Sequence, residues 1–147
     1  MNPFAKATLL VASCIAAEAW AEPPTSVDAG DIDNLTTNAA RYSGKLVTFE
    51  TCVLVSPHGM ALFSCTAHLE KPMIRFEKPP SGIDDSAYYS LIDAAWQAPR
   101  YKELLSLTVT GEFRYSNTEL PRFRVDIREA TDLHLVPDPT LGSSEDR

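Results

Sequence analysis

Six glycines and three histidines in 147 residues leave little material for several kinds of site. No glycine-rich run is present to wrap a phosphate, and neither a Gly-x-Ser-x-Gly elbow nor a His-Glu-x-x-His pair occurs. His58, His68 and His134 lack both the i, i+4 helical spacing and the Cys-x-x-Cys company of zinc ligands, so no metal site is expected. Cysteine is scarce as well. Cys14, Cys52 and Cys65 form no Cys-x-x-Cys and have no evident activating base, which argues against a redox role. Basic residues are the minority, 13 Lys and Arg against 20 Asp and Glu, for a net charge of −7. Phosphate backbones repel such a chain, so no nucleic-acid partner is expected.

Long apolar runs are also missing. The one at the start, Ala7 to Ala17, falls well short of the roughly 20 residues that a membrane-spanning helix needs. It follows Lys6 and precedes Ala19-Trp20-Ala21, the charged, apolar, small-x-small order of a cleaved secretory signal. Cleavage after Ala21 removes 21 of 147 residues and leaves 126, enough for one domain with a real core. Lys6 and Glu18 cancel, so the mature chain keeps the net charge of −7. A periplasmic or secreted protein with no membrane span is expected. Val11-Ala12-Ser13-Cys14 offers an alternative, because it resembles the box that precedes a lipidated cysteine in bacterial lipoproteins.

Residues 22–30 read as a flexible, Pro-containing leader, 31–136 as the folded domain and 137–147 as a disordered acidic tail. Ile32, Leu35, Ala39 and Tyr42 predict a short N-terminal helix that Gly44 ends. Val47, Phe49, Thr51, Val53 and Val55 then alternate at strand period, as do Ala61, Phe63, Cys65, Ala67 and Leu69. Ile74 and Phe76 mark a short third strand. Tyr88, Leu91, Ile92, Ala95 and Trp96 fall on one helical stripe, with Asp84 or Asp85 as N-cap and Pro99 as stop. Two further strands place Leu105, Leu107 and Val109, then Phe123, Val125 and Ile127, inward, joined through Asn117 to Pro121.

Three strands, a helix and a closing hairpin give a mainly β fold, a five-stranded Greek-key barrel of OB-fold type with the helix between strands three and four. The segment "NAARYSGKLVTFETCVLV" carries the Tyr-x-Gly-Lys-x-Val pattern at Tyr42 to Val47. Here the chain resembles small exported bacterial OB-fold-like proteins of largely unassigned function. The likeness covers about twenty residues closely and otherwise follows element order, and it implies a fold rather than an activity. Where such proteins often carry Gly after the first strand, this chain has Thr51-Cys52.

Cys52 and Cys65 are the two cysteines of the mature chain, and an oxidising compartment predicts a structural disulfide between them. Two hairpin registers compete. A turn centred between His58 and Gly59 sets Cys52 directly opposite Cys65. A three-residue loop of Pro57, His58 and Gly59 has better turn chemistry and makes an all-apolar face, but points the cysteines to opposite sides. A bulge near Glu50-Thr51 would reconcile the two.

No catalytic residue and no cofactor is expected. Asp84-Asp85 reads as helix-start acids rather than a carboxylate pair. The last hairpin carries Arg114, Tyr115, Arg122, Arg124 and Arg128, candidates for gripping an anionic or sugar ligand. Glu112, Glu119, Asp126 and Glu129 alternate with them, so cross-strand pairs on a solvated face account for the same residues. The sequence points to an exported, non-enzymatic binding module for a protein, peptide or glycan. An antagonist or immunity-type protein that blocks a toxin or hydrolase is the alternative, and a hydrolase with an unrecognised site is a third class.

Overall fold

The computed structural model describes residues 23–67, 70–98 and 102–141. The expected signal with its Ala21 cleavage, the lipid alternative at Cys14, His68, the Pro99 stop and the tail from residue 142 lie outside the described residues. In chain order the elements are β1 (Val27–Asp31), α1 (Ile32–Thr37), α2 (Ala39–Tyr42), β2 (Leu46–Ser56), β3 (Gly59–Phe63), β4 (Ile74–Glu77), α3 (Ser86–Gln97), β5 (Glu103–Tyr115) and β6 (Phe123–Pro137). The protein is mainly β. Its six strands form one mixed sheet in the order β1-β2-β3-β4-β6-β5, and β5 pairs with β2 as well. β1 runs parallel to β2 and β4 parallel to β6, whereas the remaining pairs are antiparallel.

Alternation decides which faces are buried. Odd-numbered β2 residues from Val47 to Val55 point inward, and Ile74, Phe76, Leu107, Val109, Phe113, Val125 and Ile127 join them in one apolar core. Leu91 of α3 is fully buried against it. The Asp31 carboxylate caps α1 by accepting from the Asn34 amide at 2.8 Å. Gly44 turns the chain from α2 into β2 at φ +81°, and its amide donates to the Phe113 carbonyl at 2.8 Å. Gly111 lies where β5 presses on β6. A Cβ there would sit 2.5 Å from the Asp126 carbonyl oxygen and 2.7 Å from Val125 Cγ2. The β5–β6 ladder shifts register beside it, between Thr110 and Gly111, and again between Ser106 and Thr108. Opposite the second shift Asp132 takes φ +55°, and beyond it Leu133 and Leu135 remain exposed.

Several sequence expectations need correction. The sheet has six strands rather than five, because residues 27–30 of the expected leader join Asp31 to form β1. Only Ala29 of β1 is buried, and Asp28 and Gly30 flank it, so a five-residue strand with one inward side chain shows no readable alternation. The single N-terminal helix is two short ones that meet at Asn38. β6 continues to Pro137, and the Asp138 amide donates to the Lys102 carbonyl at 2.9 Å, so the chain stays ordered past the expected start of the tail.

Neither expected hairpin register occurs. Ser56 pairs with Gly59 and Cys52 with Phe63 across a two-residue turn of Pro57 and His58. Ser56 holds that turn: its Oγ accepts from the His58 amide at 3.2 Å and donates to the Gly59 carbonyl at 3.3 Å. Met60 and Leu62 therefore face the core cluster in place of Ala61, while Phe63 is buried as expected but on the other face, paired with buried Cys52. The pairing of β2 with β5 runs unbroken from Leu46 to Val53, so there is no bulge at Glu50-Thr51. The Cys52–Cys65 disulfide does form, by another route. Cys65 follows the end of β3, where the chain turns, and its Cα comes to 5.1 Å from that of Cys52. Ser64 fixes the turn, since its hydroxyl donates to Asp33 Oδ2 and accepts from the Ala67 amide, both at 3.0 Å.

Trp96, expected in the core, is 46% exposed. At about 100° per residue it lies about 140° around α3 from Leu91, outside the stripe that Tyr88, Ile92 and Ala95 share with that leucine. The α3 start differs in detail too. Asp85 occupies the cap position but its side chain makes no capping bond to the helix, and Asp84 Oδ1 accepts from the Ser86 amide at 3.0 Å. That bond holds the Asp84 carboxyl below its ordinary pKa.

Candidate functional site

Inward parity in the core fixes outward parity on the surface, and one outward row crosses five strands. Leu54 of β2 pairs with Ala61 of β3, Ala61 with Arg75 of β4, Arg75 with Arg124 of β6 and Arg124 with Arg114 of β5. The row starts apolar and ends in three arginines. A second row lies one pleat further along, where Glu77, Asp126 and Glu112 are neighbours on β4, β6 and β5. Like charges side by side destabilise a sheet unless opposite charges answer them. Arg114 answers two, at 2.6 Å from Asp126 Oδ1 and 3.4 Å from Glu77 Oε2. Arg75 lies 3.7 Å from Glu77, and Arg128 lies 3.5 Å from Glu112. Asp126 is only 3% exposed, so removing Arg114 would leave a buried carboxylate without its ion-pair partner.

The apolar end of the row opens into a cleft of ≈ 680 Å³. The β2–β3 turn bounds it on one side through Ser56, His58 and Gly59, and Pro121 of the β5–β6 loop bounds it on another. Leu54, Met60, Ala61 and Met73 supply its apolar surface, with Arg75, Glu77 and Lys78 as its charged members. Leu54 and Met73 are 47% and 46% exposed, high for large apolar side chains that share one depression. Lys78 lies 3.0 Å from Asp85 Oδ2 and 5.5 Å from the Tyr89 ring centroid, which ties the end of β4 to the start of α3. The Asp85 hydrogen bond, and then the one to Tyr89, raise the Lys78 pKa above its ordinary value.

On the other side of the β5–β6 loop lies a smaller cleft of ≈ 340 Å³, lined by Glu112, Arg114, Tyr115, Glu119, Arg122 and Arg124 among others, and sharing Pro121 with the first. The five residues expected at a site thus divide. Arg114, Tyr115, Arg122 and Arg124 line this cleft, whereas Arg128 lines neither and faces Glu112. Tyr115 is half-buried and stacks on Phe123 at 5.5 Å between centroids. Arg124 donates to the Leu120 carbonyl at 3.3 Å, which steadies the loop, and Arg122 is exposed. Sequence reasoning missed the Leu54, Met60 and Met73 surface. The signal was available at Leu54, an apolar residue at an outward position of β2.

A third depression, of ≈ 370 Å³, carries Asp28, Asp31 and Glu50 along β1 and β2. Among the described residues no group of three or more His, Cys, Asp or Glu is placed to hold a metal ion, and no helix is long and apolar enough to cross a membrane. Comparison with known proteins finds no family model, no curated protein and no solved structure that matches the chain.

Proposed function

We propose that this chain is an exported, non-enzymatic binding module with an OB-fold-like barrel, and that it holds a protein segment, peptide or glycan in the cleft beside Leu54. Three features support the barrel: strand pairings that run β2–β3–β4–β6–β5 and return to β2, parallel pairing of β4 with β6, and a helix between β4 and β5 in the chain. In such folds ligands lie across the middle strands between the first hairpin turn and the last loop. The observation that carries the functional reading is the cleft at that place, with Leu54 and Met73 half exposed inside it. Its carboxylate, Glu77, is engaged by Arg75 and Arg114, which suits binding better than proton transfer. The disulfide and the small-x-small end of the leading apolar run support export.

A photo-crosslinking residue at Leu54, in protein expressed with its leader in its own host, tests this reading. The expected product is an envelope protein beginning at Glu22 that carries one adduct of defined mass, absent when the probe sits at exposed Glu129 instead. Equal labelling from both positions, or none from Leu54, would overturn the cleft as the site. The second reading, a blocker of a basic cleft, draws on the acidic depression at Asp28, Asp31 and Glu50. Adducts from a probe at Asp28 and none from Leu54 would favour it.

A further inference from the structure

Resting on the reading of the cleft as a binding site, we infer that its ligand is an acidic protein segment with one aliphatic or aromatic anchor, rather than a glycan. The two clefts that share Pro121 are lined by five of the chain's 13 basic residues, Arg75, Lys78, Arg114, Arg122 and Arg124, and by three of its 20 acidic ones, Glu77, Glu112 and Glu119. Arg75, Lys78 and Arg114 are answered by Glu77, Asp85 and Asp126, so Arg122 and Arg124 are the cations of this track that no ion pair engages among the described residues of a chain of net charge −7. The Leu54–Ala61–Arg75–Arg124–Arg114 row runs along that track from apolar to cationic. Its order dictates the ligand's order, an apolar side chain first and carboxylates after it.

The chemistry of the apolar end separates peptide from sugar. Sugars and bases are gripped by stacking on exposed aromatic faces. Here the exposed apolar surface is Leu54 and Met73, while the cleft's two aromatic rings, buried Phe76 and half-buried Tyr88, pack edge-on to each other and offer no open face. Methionine beside leucine makes a soft surface that adapts to aliphatic and aromatic side chains of a peptide. Arginines 114 and 75 keep donors beyond those facing Asp126 and Glu77, because a guanidinium has five. Carboxylates of a bound segment would join the existing pairs without having to break them.

The test uses the disulfide-intact chain and an array of short peptides with a central Leu, Phe or Ser flanked by either Glu or Lys, beside acidic and neutral oligosaccharides. We expect Leu and Phe peptides with Glu flanks to bind. Replacing the anchor by Ser should weaken binding by about tenfold or more, and Lys flanks or raised salt should weaken it severalfold. Leu54→Asp with Met73→Asp should abolish the anchor preference, and Arg75→Glu the flank preference; all three positions are exposed, and an unchanged unfolding midpoint shows that the variants fold. Binding of an acidic or neutral oligosaccharide that Leu54→Asp abolishes, with no peptide bound, would overturn the inference and leave the cleft as the site. If no probe's binding responds to Leu54→Asp, the cleft reading fails together with the inference.

Discussion

Gly111 shows how much a single hydrogen can matter. A methyl group there meets the backbone of β6 at 2.5 Å, and backbone cannot swing aside as a flexible side chain can. Gly111→Ala should cost about 1–3 kcal/mol, read as a lower urea midpoint with an unchanged slope. A midpoint within error of the parent would mean that β5 and β6 separate easily at this point. The sequence displayed Gly111 between Thr110 and Glu112 with no hint of the close approach, since the neighbour lies on another strand. The arginine ribbon was half legible. Arg114, Tyr115, Arg122 and Arg124 were singled out from residue type and spacing, and they do line one cleft. Arg75 and Glu77, which complete their rows, lie some forty positions earlier and become neighbours only through the parallel pairing of β4 with β6.

Among the elements, the β2–β3 hairpin joins covalent and local effects. Its disulfide closes a loop of sequence separation 13, and removing it with Cys52→Ala and Cys65→Ala should lower stability by about 3 kcal/mol in the chain-entropy model. Denaturant curves with and without reductant check this: the parent should fall to the variant's midpoint on reduction, and the variant should not move. Both strands were readable from their alternation, but the register was not. A serine hydroxyl bonding into the turn outweighed the preference for Gly in a three-residue loop, and side-chain bonds of that kind have no periodicity to reveal them. The docking of α3 carries a pH dependence. The Lys78 pKa is raised in the folded state, so the tether to Asp85 contributes fully below the ordinary lysine value of 10.5 and is lost as pH rises through the folded value. Lys78→Met should flatten the alkaline limb of the stability profile and leave the neutral region nearly unchanged, because the pair is exposed. An alkaline limb identical to the parent's would show that other groups produce it.

For the whole molecule, element order from the first long strand to the last hairpin was legible because each element is long enough to show its period. β1 was not, and neither was the mixed direction of the sheet, which depends on where α3 returns the chain. The acidic balance of the chain and the basic track across its clefts are also features of this scale, since neither shows in any single segment. The kink at Asp132 bears on a different property, the tendency to assemble into fibres. β6 runs past its pairing with β4 at Asp126, and among the described residues nothing pairs with that side of it afterwards, so Leu133 and Leu135 flank an open backbone edge. A flat edge with leucines on it is a template for another chain. The left-handed residue at Asp132 interrupts that edge midway and the proline at 137 closes its end, leaving runs of five and four residues, 127–131 and 133–136, each too short to recruit a partner strand and seed a stack.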